Sequence, residues 1–288
     1  MLFLIDDVKF MKAKIFLGPA GIPISSKKGS TLDGIKTVKE LGLNAMEIEF
    51  VRGVKISREF AKKVDELASQ LNVRLSVHAP YYINLLSEKQ EIVEASKKRI
   101  LDSLERAEIM GADIVVIHTG YYGKLSEEEA REIVVERYSE LLEMAKEMGI
   151  KKSKMALETM AKESQFAGLE DILYVVRKLK KKIVPLIDFA HLFARWDGKI
   201  DYARILDKIE KLKIKHVNSH FSNMKYIVNK KKFVDIHEPI NSHPPFEPLA
   251  KEILKRDISI TIISESPILE KDSLKMKRIF EKLGYRFE

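Results

Sequence analysis

A short run rich in β-branched residues followed by a longer amphipathic stretch recurs eight times along this chain, and few folds accept that pattern. The strand-like runs span 13–17, 45–50, 73–78, 114–118, 154–158, 183–188, 214–220 and 258–265. The helical patterns span 31–41, 57–71, 87–110, 126–148, 169–179, 202–212, 246–255 and 271–283. Glu127, Glu128 and Glu129 crowd the first turn of the fourth helix, and Gly42, Gly111, Gly149 and Gly284 stand where helices end.

Eight strands, each followed by a helix in strict order, are what a closed parallel barrel requires. An open doubly wound sheet is also built from such units. Its phosphate-binding glycine fingerprint is absent after the first strand, where Gly18-Pro19-Ala20-Gly21 has the wrong spacing and runs into Ile22-Pro23. The expected fold is therefore a (β/α)8 TIM barrel of the α/β class, a single domain over residues 13–288 after an N-terminal extension over 1–12. Met11 stands just before the first strand, so residues 1–10 read as a disordered extension or a mis-assigned start. With 288 residues, 45% of them hydrophobic, the chain can bury one sizeable core, and no linker-like or low-complexity segment divides it.

No apolar run is long enough to cross a bilayer, and the N-terminus turns acidic at Asp6-Asp7 after a few apolar residues, unlike a signal peptide. The expectation is an intracellular, cytoplasmic protein with no membrane partner. The absence of cysteine excludes disulfides and thiolate metal sites, so any ion is held by His, Asp and Glu, which suits zinc or manganese. A formal charge of +8 and a pI near 9.2 fit an anionic partner such as nucleic acid. They fit equally a thermophile-like surface in which Lys and Glu are both abundant.

In a barrel of this type the active site forms at the C-terminal ends of the strands. Strand 3 ends in His78, strand 4 in His118, strand 5 in Glu158, strand 6 in Asp188, strand 7 in His220 and strand 8 in Glu265. His191 follows three residues after Asp188, and Asp235 and His237 lie in the loop after strand 7. One such residue alone is more often structural or a helix cap. Together they are not, because five of the seven histidines fall at or just after the barrel mouth. Four carboxylates there would also repel one another without a cation between them. Nine ligand-type groups exceed the needs of one ion and suit two or three, with carboxylates bridging. Three divalent ions against four carboxylates leave a net charge of about +2, the sign that suits a phosphodiester.

Several segments resemble the endonuclease IV family of AP endonucleases, within the xylose-isomerase-like TIM barrel superfamily. His78-Ala79-Pro80-Tyr81-Tyr82-Ile83-Asn84-Leu85 resembles its His-x-x-Tyr-x-Ile-Asn-Leu signature, and His118-Thr119-Gly120 its His-Pro-Gly element. Leu157-Glu158-Thr159, Asp188-Phe189-Ala190-His191, His220-Phe221-Ser222-Asn223, Asp235-Ile236-His237 and Glu265-Ser266-Pro267 resemble the remaining ligand elements. The resemblance runs from about residue 13 to 285 and fills all nine positions. It implies three zinc ions, with manganese possible in one site. His78, His118 and Glu158 hold the first. Glu158 bridges to the second, completed by Asp188, His220 and Glu265. His191, Asp235 and His237 hold the third. It further implies a monomeric DNA-repair enzyme acting on double-stranded DNA at abasic sites, with Glu158 working beside a metal-bound hydroxide to cut the phosphodiester 5′ to the lesion. Tyr81 matches the family's duplex-inserting tyrosine. Tyr82 stands where an aliphatic residue is common, and Arg52 matches the inserting arginine after strand 2. Ordinary barrel-rim packing is the alternative account of both tyrosines.

Departures mark a divergent, archaeal or thermophile-like branch: Thr119 replaces proline, and His-Phe-Ser-Asn stands where bacterial members have His-Leu-Asn-Asp. The loop 225–243 differs in length and content; its Lys225, Lys230, Lys231 and Lys232 suit phosphate contacts or simply a solvated turn. By period-2 alternation His216 faces the barrel interior beneath the site, in a structural or supporting role. His243 lies in a loop near the mouth, and Trp196 reads as rim packing before DNA contact. Two rivals remain. A sugar isomerase or epimerase of the same superfamily uses one divalent ion, for which Glu158, Asp188, His220 and Glu265 suffice. A non-catalytic DNA-binding barrel is disfavoured by the full set of nine.

Overall fold

The computed structural model describes residues 13–180 and 182–287; the extension expected over 1–12 lies outside them. Along the chain run β1 (Ile15–Pro19), α1 (Thr31–Glu40), β2 (Ala45–Glu49), α2 (Arg58–Leu71), β3 (Arg74–His78), α3 (Gln90–Ile109) and β4 (Ile114–Ile117). There follow α4 (Glu127–Glu147), β5 (Lys154–Glu158), α5 (Leu169–Lys178), β6 (Val184–Asp188), α6 (Phe189–Arg195), α7 (Tyr202–Glu210) and β7 (Val217–Phe221). The hairpin strands β8 (Asn223–Ile227) and β9 (Lys232–Glu238), then α8 (Phe246–Arg256), β10 (Ile260–Ser264) and α9 (Glu270–Lys282), complete the order. Eight strands form one parallel sheet in the order β1-β10-β7-β6-β5-β4-β3-β2, which is the expected (β/α)8 barrel.

Local chemistry starts the helices where the pattern predicts. Ser57 accepts a hydrogen bond from the Phe60 amide at the head of α2. Ser126 and Glu129 form a reciprocal capping box on α4, satisfying amides that have no partner within the helix. The barrel seam between β1 and β2 is closed by a side chain: Asn44 Oδ1 accepts from the Leu17 amide at 2.8 Å and its Nδ2 donates to the Ile15 carbonyl at 3.1 Å. Gly18 lets the two strands approach, since a Cβ there would lie 1.7 Å from the Ala45 carbonyl oxygen.

Strand alternation sorts the barrel's two faces. Outward-facing aliphatic residues pack under the helices in the main core, while Ile114, Val116, Ala156, Val184 and Leu186 form a small separate cluster. Two positions beyond members of that cluster stand His118, Glu158 and Asp188. The interior therefore carries an apolar cluster below the ligand-type groups of the mouth, beside the polar Arg74, Asn218 and Thr261.

The structure departs from expectation in three places. Strand 1 starts at Ile15, because the Ala13 amide and carbonyl are taken by the Asp257 and Tyr285 side chains. The short helix α6 begins directly from Asp188, which caps it by accepting from the His191 amide at 2.8 Å. The stretch expected as a loop after strand 7 is instead an antiparallel hairpin, β8 against β9. Its Met224 and Phe233 pack on Ala190 and Phe193 of α6. No described helix is long and apolar enough to cross a membrane.

Gly18→Ala is expected to lower stability by about 3 kcal/mol, since the added methyl meets a backbone carbonyl that cannot rotate away. Urea denaturation measures it; an unchanged midpoint would mean the seam is not close-packed there.

Candidate metal centre

Glu158 ends β5 fully buried, and its two oxygens are divided among four imidazoles. Its Oε2 lies 2.8 Å from His118 Nε2 and 3.3 Å from His78 Nε2. Its Oε1 lies 3.1 Å from His220 Nδ1 and 3.4 Å from His191 Nδ1. His220 Nδ1 is also 3.4 Å from Glu265 Oε1. Asp188 uses Oδ1 to cap α6, and its Oδ2, like Oε2 of Glu265, is buried without a hydrogen-bond partner among the described residues.

Three groups of potential ligand atoms converge, with the atoms of each lying within 4.8 Å of one another: His78, His118 and Glu158; Glu158, Asp188, His220 and Glu265; and His191, His237 and Glu265. The first two match the sets expected from sequence. In the third, Glu265 takes the place expected for Asp235. Asp235 sits beside it, 3.4 Å from His191 Nε2, with its other oxygen 3.4 Å from Lys162 Nζ. The hairpin brings Asp235 and His237 to this place as alternate residues of β9. Orphaned carboxylate oxygens and a donor set of imidazole and carboxylate are what a divalent ion such as zinc or manganese requires. The residues present therefore fit such ions.

Outer partners fix most of the rings. His78 Nδ1 meets the Ala79 carbonyl at 2.7 Å, His191 Nδ1 the Thr159 carbonyl at 2.8 Å, and His237 Nδ1 the Ser222 hydroxyl at 2.6 Å. Each of these three leaves Nε2 for the centre.

Two groups escape a reading confined to strand ends. Glu47 and Glu49 are alternate residues of β2, so both face the barrel interior. Glu47 is fully buried and Glu49 half-buried, with its Oε1 buried and lacking any hydrogen bond among the described residues. The signal was present in Met46-Glu47-Ile48-Glu49, where carboxylates take the inward face of a strand whose other face is apolar. Counting them brings six carboxylates to the centre. Three divalent ions would then be neutralised rather than left with the surplus positive charge expected from four.

Electrostatics follow from burial and pairing. Burial pushes the Glu158 carboxyl up, but His118 and His220 outweigh it and hold it well below the carboxylate range. Burial lowers His78, His191 and His220, yet the surrounding carboxylates raise all three, His78 to about 10. Burial raises Asp188 to about 8 and Glu49 to about 8, against the pull of His191 and His78 respectively. Burial also acts on Asp235 and Glu265, but neighbouring histidines win and draw both down.

The remaining expected residues occupy the rim. Tyr81 is 46% exposed, with its ring 5.0 Å from that of His78 and 5.3 Å from that of His118. Tyr82 and Arg52 are exposed, and Arg52 borders a cleft of about 430 Å3 with Glu49, Phe50 and Lys55. Trp196 is partly exposed in a second cleft, of about 570 Å3, with Lys199 and Arg204. Thr119 is buried, its hydroxyl 3.2 Å from that of Tyr138, so it fits where proline was expected. Asn84 of the signature ties two loops together, accepting from the Leu86 and Tyr121 amides. His216 lies at the floor of the barrel interior, as expected: it bonds Thr261, stacks edge-on against Phe16 ahead of β7 and shares a cavity with Arg74, Ile114, Val184 and Asn218. His243 packs against Phe193 and Phe233.

Residues 35–282 match the family described as xylose isomerase-like TIM barrel, and the chain belongs to that family. An uncharacterized protein of Methanocaldococcus jannaschii is 31% identical over 93% of this chain and 98% of its own. A protein of Mycoplasmopsis synoviae named probable endonuclease 4 is 27% identical over 94% of each. Among solved structures, endonuclease IV of Thermus thermophilus superposes with a TM-score of 0.65 at 19% identity, covering 94% of this chain and 98% of that one. A D-tagatose 3-epimerase-like protein superposes with a TM-score of 0.67 at 23% identity, covering 93% and 96%. At these identities the structural likenesses show a shared fold.

The metal-free protein is expected to lose stability as pH rises. His78, raised from 6.5 to about 10 in the fold, contributes stability that is complete below pH 6.5 and lost as pH climbs through 10. Asp188, raised from 3.8 to about 8, adds a penalty that grows from pH 3.8 to about 8 and stays constant above it. Melting temperatures of chelator-treated protein should fall between pH 6.5 and 10, and divalent ions should bind with release of protons. A melting temperature flat over that range would refute both assignments.

Proposed function

We propose that this member of the xylose isomerase-like TIM barrel family is a zinc-dependent endonuclease that cuts duplex DNA on the 5′ side of abasic sites. The observation that carries the reading is the interlocking of three ligand groups through Glu158 and Glu265. A single-ion isomerase needs only Glu158, Asp188, His220 and Glu265; His78, His118, His191 and His237 would be surplus to it. The relatives named endonuclease 4 support the same choice.

In this reading His78, His118 and Glu158 would hold one ion, and Glu158, Asp188, His220 and Glu265 a second. His191 and His237 hold a third, with Asp235 beside them. Bound there, such ions polarise a phosphoryl oxygen and lower the pKa of water into the neutral range. Water adds to phosphorus as the bond to the upstream 3′ oxygen breaks, leaving a 3′-hydroxyl and a 5′-phosphate on the abasic sugar. Glu158, with its oxygens divided between two groups of imidazoles, keeps those groups in fixed relation.

The chain's other residues act on the duplex. Tyr81 leans over the first group of ligands, and Tyr82 and Arg52 project from adjacent loops, placed to enter the stack. Unstacking costs less where a base is already missing, which favours the lesion over intact DNA. Lys225, Lys230, Lys231 and Lys232 are exposed on the hairpin and pair with no carboxylate among the described residues. With six carboxylates neutralising the ions, attraction for a polyanion falls to such rim cations.

A single-ion sugar epimerase is the second reading, favoured by the completeness of its four-residue set. A duplex with one synthetic abasic site separates the two. Incision 5′ to the lesion is expected with about three ions per chain, and His118→Ala should lower its rate by about 100-fold or more. One ion per chain, no incision and turnover of a keto-sugar would overturn the proposal. Replacing Lys230, Lys231 and Lys232 with alanine should flatten the dependence of log Kd on log salt by about 0.9 for each phosphate no longer neutralised. An unchanged slope would remove the hairpin from the DNA path.

A further inference from the structure

In His78, His191 and His237 the short contact of Nδ1 is to a carbonyl or hydroxyl oxygen and Nε2 is turned to the centre, although Nδ1 of His191 also lies 3.4 Å from Glu158 Oε1 and Asp188 Oδ2. His220 is reversed. Its Nδ1 faces Glu158 Oε1 at 3.1 Å and Glu265 Oε1 at 3.4 Å. Its Nε2 points down the barrel, where Glu47 Oε1 waits 3.0 Å away. The outer partners of the other three rings are neutral carbonyl or hydroxyl oxygens; that of His220 is a carboxylate. Glu47 is itself held, because its Oε2 accepts from the Ser76 hydroxyl at 2.7 Å. His220 and Glu47 are fully buried, and Ser76 is buried beside them.

We propose that Glu47 is a positioning residue for metal binding, which fixes His220 with Nδ1 toward the ion shared by Glu158, Asp188 and Glu265. The inference rests on the metal-centre reading above. Nε2 of His220 and Oε1 of Glu47 lie out of line for a full hydrogen bond, and neither has another hydrogen-bond partner among the described residues. They are therefore each other's only outlet among the described residues. A small rotation of the ring aligns them, and a buried polar pair left unmatched is costly. Once aligned, Nε2 carries the proton and Nδ1 is left with the free lone pair that a ligand needs. A carboxylate at the far edge of an imidazole also makes the ring a stronger donor, and removing such partners typically weakens metal binding by about 10–100-fold.

A purely structural role makes different demands. If Glu47 only filled space and anchored Ser76, its replacement would lower the stability of the metal-free fold and leave ion affinities alone. If it positions His220, Glu47→Gln keeps the volume, removes a buried charge and weakens one ion only.

The test titrates chelator-stripped, full-length protein with Co2+, followed by absorption spectroscopy and calorimetry. Beside it, melting of the metal-free protein is measured for the wild type, Glu47→Gln and Ser76→Ala. For Glu47→Gln the expected result is a loss of affinity of about 10–100-fold at one ion, with the other ions unchanged and no fall in metal-free melting temperature. Ser76→Ala, which frees Glu47 without removing it, should produce a smaller loss at the same ion, and it serves as the test should Glu47→Gln fail to fold. A lower metal-free melting temperature with intact affinities would overturn the proposal, as would equal weakening of all the ions. Wild-type protein that binds no Co2+ at all would instead overturn the metal-centre reading beneath it.

Discussion

A carboxylate sealed away from water costs several kcal/mol unless charge and hydrogen bonds are returned to it. In this barrel that demand is concentrated on Glu158. Its two oxygens are met by four imidazoles drawn from β3, the end of β4, α6 and β7. Those rings are raised in turn by Asp188, Glu265, Glu47 and Glu49. The mouth is thus a mutually dependent array in which removing one member leaves another uncompensated. The same array leaves oxygens of Asp188 and Glu265 unsatisfied, and divalent ions would complete it.

The barrel makes this possible by simple means. Alternation sends every second strand residue inward. The apolar cluster of Ile114, Val116, Ala156, Val184 and Leu186 fills part of the lower layer, beside Arg74, His216, Asn218 and Thr261. The seam at Gly18 and Asn44 keeps β2 in the sheet, and β2 carries Glu47 and Glu49 to the centre. The start of α6 at Asp188 lifts His191 by one helical turn to face the hairpin. The hairpin, packed through Met224 and Phe233 on α6, holds Asp235 and His237 where a free loop would leave them mobile.

Fold alone does not choose between chemistries, and this family hosts more than one. Epimerase-like and endonuclease structures superpose on the chain about equally well. What distinguishes the readings is the ligand inventory at the mouth and the basic, aromatic rim around it, since near-neutrality of the loaded centre would leave polyanion binding to that rim.

The order of eight βα units, the helix caps and the arrival of the residues from His78 to Glu265 at the barrel mouth were legible in the sequence, because each depends on local spacing or on ending a strand. Asp235 was placed correctly at the mouth, beside His191, but the approach of Glu265 to His191 and His237 was not legible, since it is a contact between the end of the last strand and the hairpin. His216 was also legible, because the alternation that turns Asn218 and His220 inward extends to it at the barrel floor. Glu47 and Glu49 could have been read from their period-2 spacing. The partner of Glu47 could not, because it lies across the barrel on β7, 173 residues away in the chain. Sequence by itself determined which side chains reach the mouth, through the periodicities of strand and helix. Only the closed barrel decided which of them meet and which nitrogen of each histidine faces inward, because those are contacts between strands far apart in sequence.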